Sequence, residues 1–462
     1  MAGADNPFAA FIDSRNYAIA QGATAEWRKL EWVAVDANNS KIYFAITDVG
    51  AGMADTEGDI QMAENPCGAV FAGDLDADFN LSSVTPVLMG GALDATDSCP
   101  DDAIANPDNL YVDGQGNLWI GEDSGEPNEA LWMWNGTDLK RFATVPAGAE
   151  VTGLHIAADG TLFMNVQHPD DTNPEPYNMG TVGVFKGYVA GDDFEGLPVP
   201  AEGEVADQVM VAAGEYQILG RVGDPFPGSD TAFGSIIAHD GTVLNVCNDP
   251  DGNMFLPSEA GKGWLYSNLE CGVGGVSKLW IERDADGNWS ATQGEMVDFV
   301  PVNGTGNNCG ASVTPWNTGL TSEEYPPDNE EDWQYWVEEQ GAGLEALTGN
   351  PANPFDLGYN VELTPTDNGT QVTKHYAMGR FSKEVGVVMP DNRTVYFGDD
   401  GTDRVLFKFV ADNAGDLSAG TLYAAKVTQD GDTLNLEWIE LGQGNDAAIY
   451  DAIRELDSQF AS

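Results

Sequence analysis

Residues 106–123 read NPDNLYVDGQGNLWIGED: an apolar run, a turn at Gly114-Gln115-Gly116-Asn117, and a second apolar run that closes on acids. Alternating apolar runs around an Asp/Asn/Gly turn mark a β-hairpin. The layout recurs in WRKLEWVAVDANNSKIYFAITD (27–48), EVTGLHIAADGTLFMNVQH (150–168), FGSIIAHDGTVLNVCND (233–249), GNNCGASVTPWNTGLTSEEY (306–325) and KEVGVVMPDNRTVYFGDD (383–400). The six copies start roughly 40–80 residues apart, with strand-like runs between them such as LWMWNGTDLKRFATV (131–145) and VSKLWIERDADGNWSATQ (276–293). One four-stranded unit per copy is the spacing of propeller blades. The expected fold is therefore all-β, a six-bladed β-propeller forming one domain over residues 1–462, with small helical insertions. Two packed sandwiches would hold the same strands but would not require acids to recur at one slot.

Three segments depart from the strand pattern. Residues 5–24 predict a helix with Phe8, Phe11, Ile12 and Ile19 on one face, and 443–460 an amphipathic helix with Ile449, Ile453, Leu456 and Phe460 on one face. Residues 323–349 predict a helical insertion after the fifth hairpin. All three are expected to cover an edge or cap the ring.

The chain carries 75 acidic against 19 basic side chains, a formal net charge of −56. Such a field repels nucleic acid and anionic membranes, which excludes both as partners. The acids are dispersed among apolar runs, as on a solvated, salt-tolerant surface rather than a disordered tail. No apolar run is long enough to span a bilayer. The start, MAGADNPFAAF, lacks the basic-then-apolar order of a signal peptide. The expectation is the mature form of a periplasmic or extracellular protein, monomeric. Among five cysteines, Cys67–Cys99 and Cys247–Cys271 are compatible pairs, five unpaired thiols being the alternative. Cys309 is the odd one, because it shares a segment with paired acids.

In four repeats a ligand-type side chain precedes the first strand: Glu31, Asp108, Cys309 and Glu384. Acids close the second strand at Asp48, Asp123, Glu324 and Asp399. The separation is fifteen residues in Asp108–Asp123, Cys309–Glu324 and Glu384–Asp399, and seventeen in Glu31–Asp48. Arms of equal length bring both ends of a hairpin to one level, and in a propeller that level is the axial funnel. Glu150, Asn165, Gln167 and His168 take similar places in the third repeat, Asn248 and Asp249 in the fourth. Pooled carboxylates repel one another strongly in a low-dielectric funnel, so cations are expected to neutralise them. Oxygen-only clusters suit calcium, whereas a thiolate among carboxylates points to iron. Taken singly, each acid could equally cap a turn on a solvated edge. Arg28, three residues before Glu31, is a candidate anion clamp, or else the partner of a nearby acid.

The run NCGASVTPWNTGLTSEE (308–324) resembles the Asn-Cys-Ala-Gly-Gly…Thr-Pro-Trp-Gly-Thr…Cys-Glu-Glu signature of PhoX-type alkaline phosphatases. GRFSKEVGVV (379–388), WRKLEWVAV (27–35), NPDNLYVDGQGNLWIGED, GAEVTG…NVQHP (148–169) and GGVSKLWIE (274–282) are similar to other segments of that family. The resemblance implies a six-bladed propeller that hydrolyses small-molecule phosphomonoesters with ferric iron and calcium. Carried over by motif, Cys309 is an iron ligand. Glu324, Glu384, Glu31, Asp108 and Asp123 are iron or calcium ligands, Glu150 is a calcium ligand, and Arg28 and Asn248 contact phosphate. Lys383, Ser322 and Trp32 depart from the family's His, second Cys and Gly, and Trp32 is expected to narrow the funnel. The motif order also differs, as in a circular permutation whose joint lies where 443–460 would run on into 5–24.

The mechanism this implies is metal-assisted, in-line displacement with Arg28 on the equatorial oxygens. The rivals are a catalytically inactive, calcium-stabilised binding propeller and a lactonase-type calcium propeller.

Overall fold

The computed structural model describes residues 6–95, 97–124, 128–200, 205–327, 332, 336 and 340–460, the side chains of 457–460 excepted. Its strands fall into consecutive antiparallel units. The first is Leu30–Asp36, Lys41–Ile46, Ala69–Asp74 and Ser83–Met89; the second is Pro107–Val112, Leu118–Glu122, Ala130–Trp134 and Leu139–Thr144. The third is Glu150–Ile156, Leu162–Gln167, Thr181–Lys186 and Glu215–Arg221; the fourth is Pro250–Glu259, Lys262–Leu269, Gly275–Arg283 and Trp289–Met296. The fifth is Asn308–Val313, Gly319–Glu323, Asn360–Thr366 and Gly369–His375; the sixth is Lys383–Val388, Thr394–Asp399, Phe407–Asn413 and Asp416–Asp430. One further strand, Thr433–Asn445, pairs with Asp416–Asp430 and touches Ser83–Met89, joining the sixth and first units in one sheet. The leading strand of each unit packs against that of the next, and the sixth against the first. The fold is all-β and propeller-like.

Local chemistry explains the hairpins. Asp113 Oδ1 accepts from the amides of Gln115 and Asn117 at 2.9 and 3.0 Å, and Gly116 takes φ +88° to close the turn. Asp36 and Asp391 fold the first and sixth hairpins by the same side-chain acceptance. Between units the core is apolar, with Trp119, Phe142, Tyr188 and Phe194 interlocked between the second and third.

Five of the expected hairpins lead their units; the fourth does not. Ser235–Ile237 and Val243–Val246, within 233–249, form a separate two-stranded sheet, and every residue of the second strand is exposed. The terminal helices are also shorter than expected. Residues 5–24 give α1 (Ala9–Ile12) and α2 (Ser14–Ala20), broken at Asp13, and Ile19 faces solvent. Residues 443–445 belong to a strand, and the C-terminal helix begins at Asp446. Within 323–349, Glu323 ends a strand and the described helix is Ala342–Thr348; 328–331, 333–335 and 337–339 lie outside the described residues. Ala10, Phe11 and Ile12 share one apolar cluster with Ile449, Ile453 and Leu456, so the two terminal helical segments pack together. Phe460's side chain lies outside the described set. Cys67–Cys99 and Cys247–Cys271 are disulfides, and Cys309 is free and buried.

Candidate metal centre

Every leading hairpin carries a one-residue bulge in its first strand. Leu30 pairs with Ile46 but Val33 with Phe44, and Asn308 pairs with Glu323 but Ala311 with Thr321. The second, fourth and sixth units slip in the same way between Pro107/Leu110, Pro250/Asn253 and Lys383/Gly386. The extra residue breaks strict alternation and re-aims a side chain. Glu31, Asp108, Asp251, Cys309 and Glu384 each sit inside such a bulge, one residue into the strand. In the third unit the bulge falls at Gly153 and Leu154, and Glu150 stands at the strand's start.

Close packing of neighbouring units holds the bulges. A Cβ on Gly252 would lie 2.5 Å from Ala311 N, and one on Gly310 would lie 2.3 Å from Glu384 O, so only glycine fits after two of the bulged ligands. Carbonyls freed by the bulges are paired from next door: Asn268 Nδ2 donates to Cys309 O at 2.5 Å and Asn253 Nδ2 to Gly153 O at 2.9 Å.

The bulged side chains meet those following the second strands in one cavity of about 310 Å³. Its wall includes Glu31, Asp108, Asp123, Glu150, Asp251, Glu270, Cys309, Glu324 and Glu384, with Lys29, His168, Asp249 and Tyr325. Within it Cys309 Sγ stands 3.0 Å from both oxygens of Glu384. Four overlapping groups each bring three ligand atoms within 4.8 Å: Asp251/Cys309/Glu384, Glu270/Cys309/Glu324, Glu31/Asp108/Glu384 and Glu31/Glu324/Asp400.

The charges are unbalanced. Burial first, and neighbouring carboxylates second, push Glu31, Asp108, Glu324 and Glu384 well above the usual carboxylate range. Burial raises Asp123 and Asp251 to about 7 and Glu270 to about 8. Burial, then the surrounding acids, push the Cys309 thiol well up. On the basic side, Lys29 Nζ lies 3.1 Å from Glu31 and His168 Nε2 lies 2.6 Å from Glu150. Burial lowers His168, but the hydrogen bond and charge of Glu150 outweigh it and raise the imidazole to about 9. Asp108 Oδ1, both oxygens of Asp251, Glu324 Oε1 and Asp400 Oδ1 are buried without a hydrogen-bond partner among the described residues. Buried acceptors without donors are costly, and a cation satisfies them where another carboxylate cannot. The donor set fits bound metal.

Of the residues expected from the sequence, Glu31, Asp108, Asp123, Glu150, Cys309, Glu324 and Glu384 come together in the cavity. Asp399 does not: its carboxylate lies 2.7 Å from Arg15 Nη2, and the following residue, Asp400, joins the cluster instead. Arg28 is held by Asp48 and Thr402, each at 2.5 Å, outside the wall. Asn248 Oδ1 accepts from the Gly180 amide at 2.7 Å, also outside it. Glu323 turns away from the cavity onto Lys374 at 2.9 Å. Trp32 is buried beside Gly310 and does not narrow the cavity. Ser322 accepts from Asn360, and Lys383 lies over the Phe381 ring at 3.3 Å, so none of the three departures touches the wall.

Asp251, Glu270 and Asp400 were not anticipated. The first two belong to the fourth unit's true hairpin, Pro250–Leu269, where an acid one residue into the strand and another just after the hairpin were the available signal.

The sequence model of the family described as "Alkaline phosphatase PhoX" matches residues 4–170 and 285–461. No curated protein matches the chain. Among solved structures, Pseudomonas fluorescens PhoX in complex with vanadate aligns at 20% identity over 48% of this chain and 57% of that one, with a TM-score of 0.33. The chain thus spans little more than half the length of that relative. A Lactobacillus plantarum protein aligns at 11% identity over 90% and 85% of the two chains, with a TM-score of 0.38. The N11 neuraminidase-like protein of a flat-faced bat influenza A virus from Peru (H18N11) aligns at 10% identity over 92% of each, also at 0.38. These scores are too low to carry the assignment, which rests on the match to the family's sequence model. The chain belongs to the PhoX alkaline phosphatase family.

Proposed function

We propose that this chain hydrolyses small-molecule phosphomonoesters at the acidic cavity, on a single six-bladed propeller with iron and calcium as resident cations. One observation carries the reading: a thiol and several carboxylates, lodged in successive bulges, share overlapping ligand groups and leave buried oxygens without donors. Family membership supports it, and the ring of four-stranded units supports the blade count. Cys309 with Asp251, Glu270, Glu324 and Glu384 would hold ferric iron, since a thiolate favours a transition metal. Glu31, Asp108 and Asp400, sharing Glu324 and Glu384, form oxygen-only groups suited to calcium, and Asp123 and Glu150 extend them along the wall. When bound, such cations supply Lewis-acid polarisation of the phosphoryl oxygens and cancel the wall's negative charge.

The chain's own part is positioning. Lys29 and His168 put cationic donors on the wall, where Lys29 Nζ can turn from Glu31 to a phosphoryl oxygen. The family resemblance adds Arg28 and Asn248 as phosphate contacts, which requires each to exchange Asp48 or the Gly180 amide for phosphate. The two disulfides support a periplasmic or extracellular location, and the acidity supports a monomer without nucleic-acid or membrane partners. The packed terminal segments support circular permutation as the source of the motif order.

Elemental analysis with anomalous scattering, on protein produced with iron and calcium, tests the assignment. The expected result is iron beside Cys309 and calcium among the oxygen-only groups. Calcium alone, with no metal at Cys309, would overturn it in favour of a calcium-stabilised binding propeller.

A further inference from the structure

Tyr325 supplies the cavity's one phenol ring among the described residues; the wall's other ring, the His168 imidazole, lies 2.6 Å from Glu150, and the remaining wall side chains are charged or polar. It is 50% exposed, although it follows the buried Glu324 directly. Two hydrogen bonds hold the residue. Its hydroxyl donates to Asp400 Oδ2 at 2.7 Å, and its amide donates to Ser382 Oγ at 3.1 Å. Its backbone takes φ +46° although Pro326 follows, and a residue before proline ordinarily stays extended. Such a conformation persists only where its surroundings over-determine it, and such positions cluster at ligand clamps. Folding alone gains little from a half-exposed ring held this way, because its free face buries nothing.

We infer that Tyr325 is a specificity-determining residue whose exposed face receives the organic group of the ester, so that monoesters bearing a planar aromatic group are preferred over small alkyl ones. This rests on the phosphomonoesterase reading. With the phosphoryl group drawn to the cations and basic groups of the wall, the ring is the surface available to an apolar group beside it. Aromatic contact of this kind discriminates by roughly threefold to tenfold.

The test compares 2-phenylethyl and n-butyl phosphate, whose leaving alcohols have similar basicity, on metal-loaded protein. Wild type is expected to favour the aromatic ester in kcat/KM by about threefold to tenfold. Tyr325→Phe should keep the ratio, and Tyr325→Ala should bring it close to one. The corresponding phosphonates, titrated calorimetrically, read the same preference without turnover. Turnover with an unchanged ratio in Tyr325→Ala sinks the role of Tyr325 and leaves the hydrolase intact. No turnover, with phosphonate discrimination lost in Tyr325→Ala, upholds the ring's role and sinks the hydrolase reading. Phosphonates bound equally by wild type also sink the role of Tyr325.

Discussion

Cys309 Sγ lies 3.0 Å from both carboxylate oxygens of Glu384, the bulged residue of the next unit. A buried thiol pressed against a carboxylate gains little from that contact, so its worth lies in a shared ion. Cys309→Ala is therefore expected to leave the unfolding midpoint of metal-free protein within a few degrees of wild type. The same change should lower iron content at least tenfold. Elemental analysis beside a thermal melt separates this from a packing role, in which the metal-free midpoint would fall.

Asp399 and Asp400 are neighbours with different duties. Asp399 pairs with the buried Arg15, so Asp399→Asn breaks a buried ion pair and should cost about 3 kcal/mol of stability. Asp400→Asn should retain the stability of the metal-free protein and lose bound metal. Urea denaturation and metal content of the two variants check the assignment; identical phenotypes would refute it.

Chelation should destabilise the protein beyond the loss of a surface ion. With cations gone, Glu31, Asp108, Glu324, Glu384 and their neighbours face one another in a buried wall. A fall in Tm of at least 10 °C on exhaustive chelation, reversed by adding back metal, is expected by calorimetry.

His375 ties the C-terminal helix to the fifth unit. Its ring nitrogens lie 3.1 Å from both Glu362 and Asp446, and Asp446 also accepts from the Ala377 amide. Burial lowers the imidazole, but these hydrogen bonds and charges outweigh it and raise it to about 9; Asp416 also faces the pair. A raised pKa stabilises the fold fully below the unfolded value near 6.5 and ceases to do so as pH passes 9. His375→Gln should therefore cost about 2 kcal/mol at pH 6, and the difference from wild type should vanish above about pH 10. Denaturation across that range measures it. Glu362 is held near 2 and adds the opposite edge, failing only as pH falls toward that value.

The hairpins were legible because Asp/Asn/Gly turns are local chemistry. The same signal misled at 233–249, where Asp240-Gly241 closes a surface hairpin, while the true fourth hairpin turns through Ala260-Gly261 with no Asp or Asn. Asp400 was missed for another reason. Val388 pairs with Val395 across residues 389–394, one more than the 113–117 between Val112 and Leu118, so the fifteen-residue rule fell one short. The bulges that aim Glu31, Asp108, Asp251, Cys309 and Glu384 depend on contacts between units, which no single hairpin's sequence encodes. Arg28 lies three residues from Glu31 in sequence, yet its guanidinium pairs with Asp48.

The most direct measurement of the central claim is the initial rate of p-nitrophenyl phosphate hydrolysis by metal-loaded wild type and Cys309→Ala, side by side. The account predicts turnover by wild type and a loss of at least about a hundredfold in the variant. Metal-replete wild type without turnover, or a variant as fast as wild type, would contradict it.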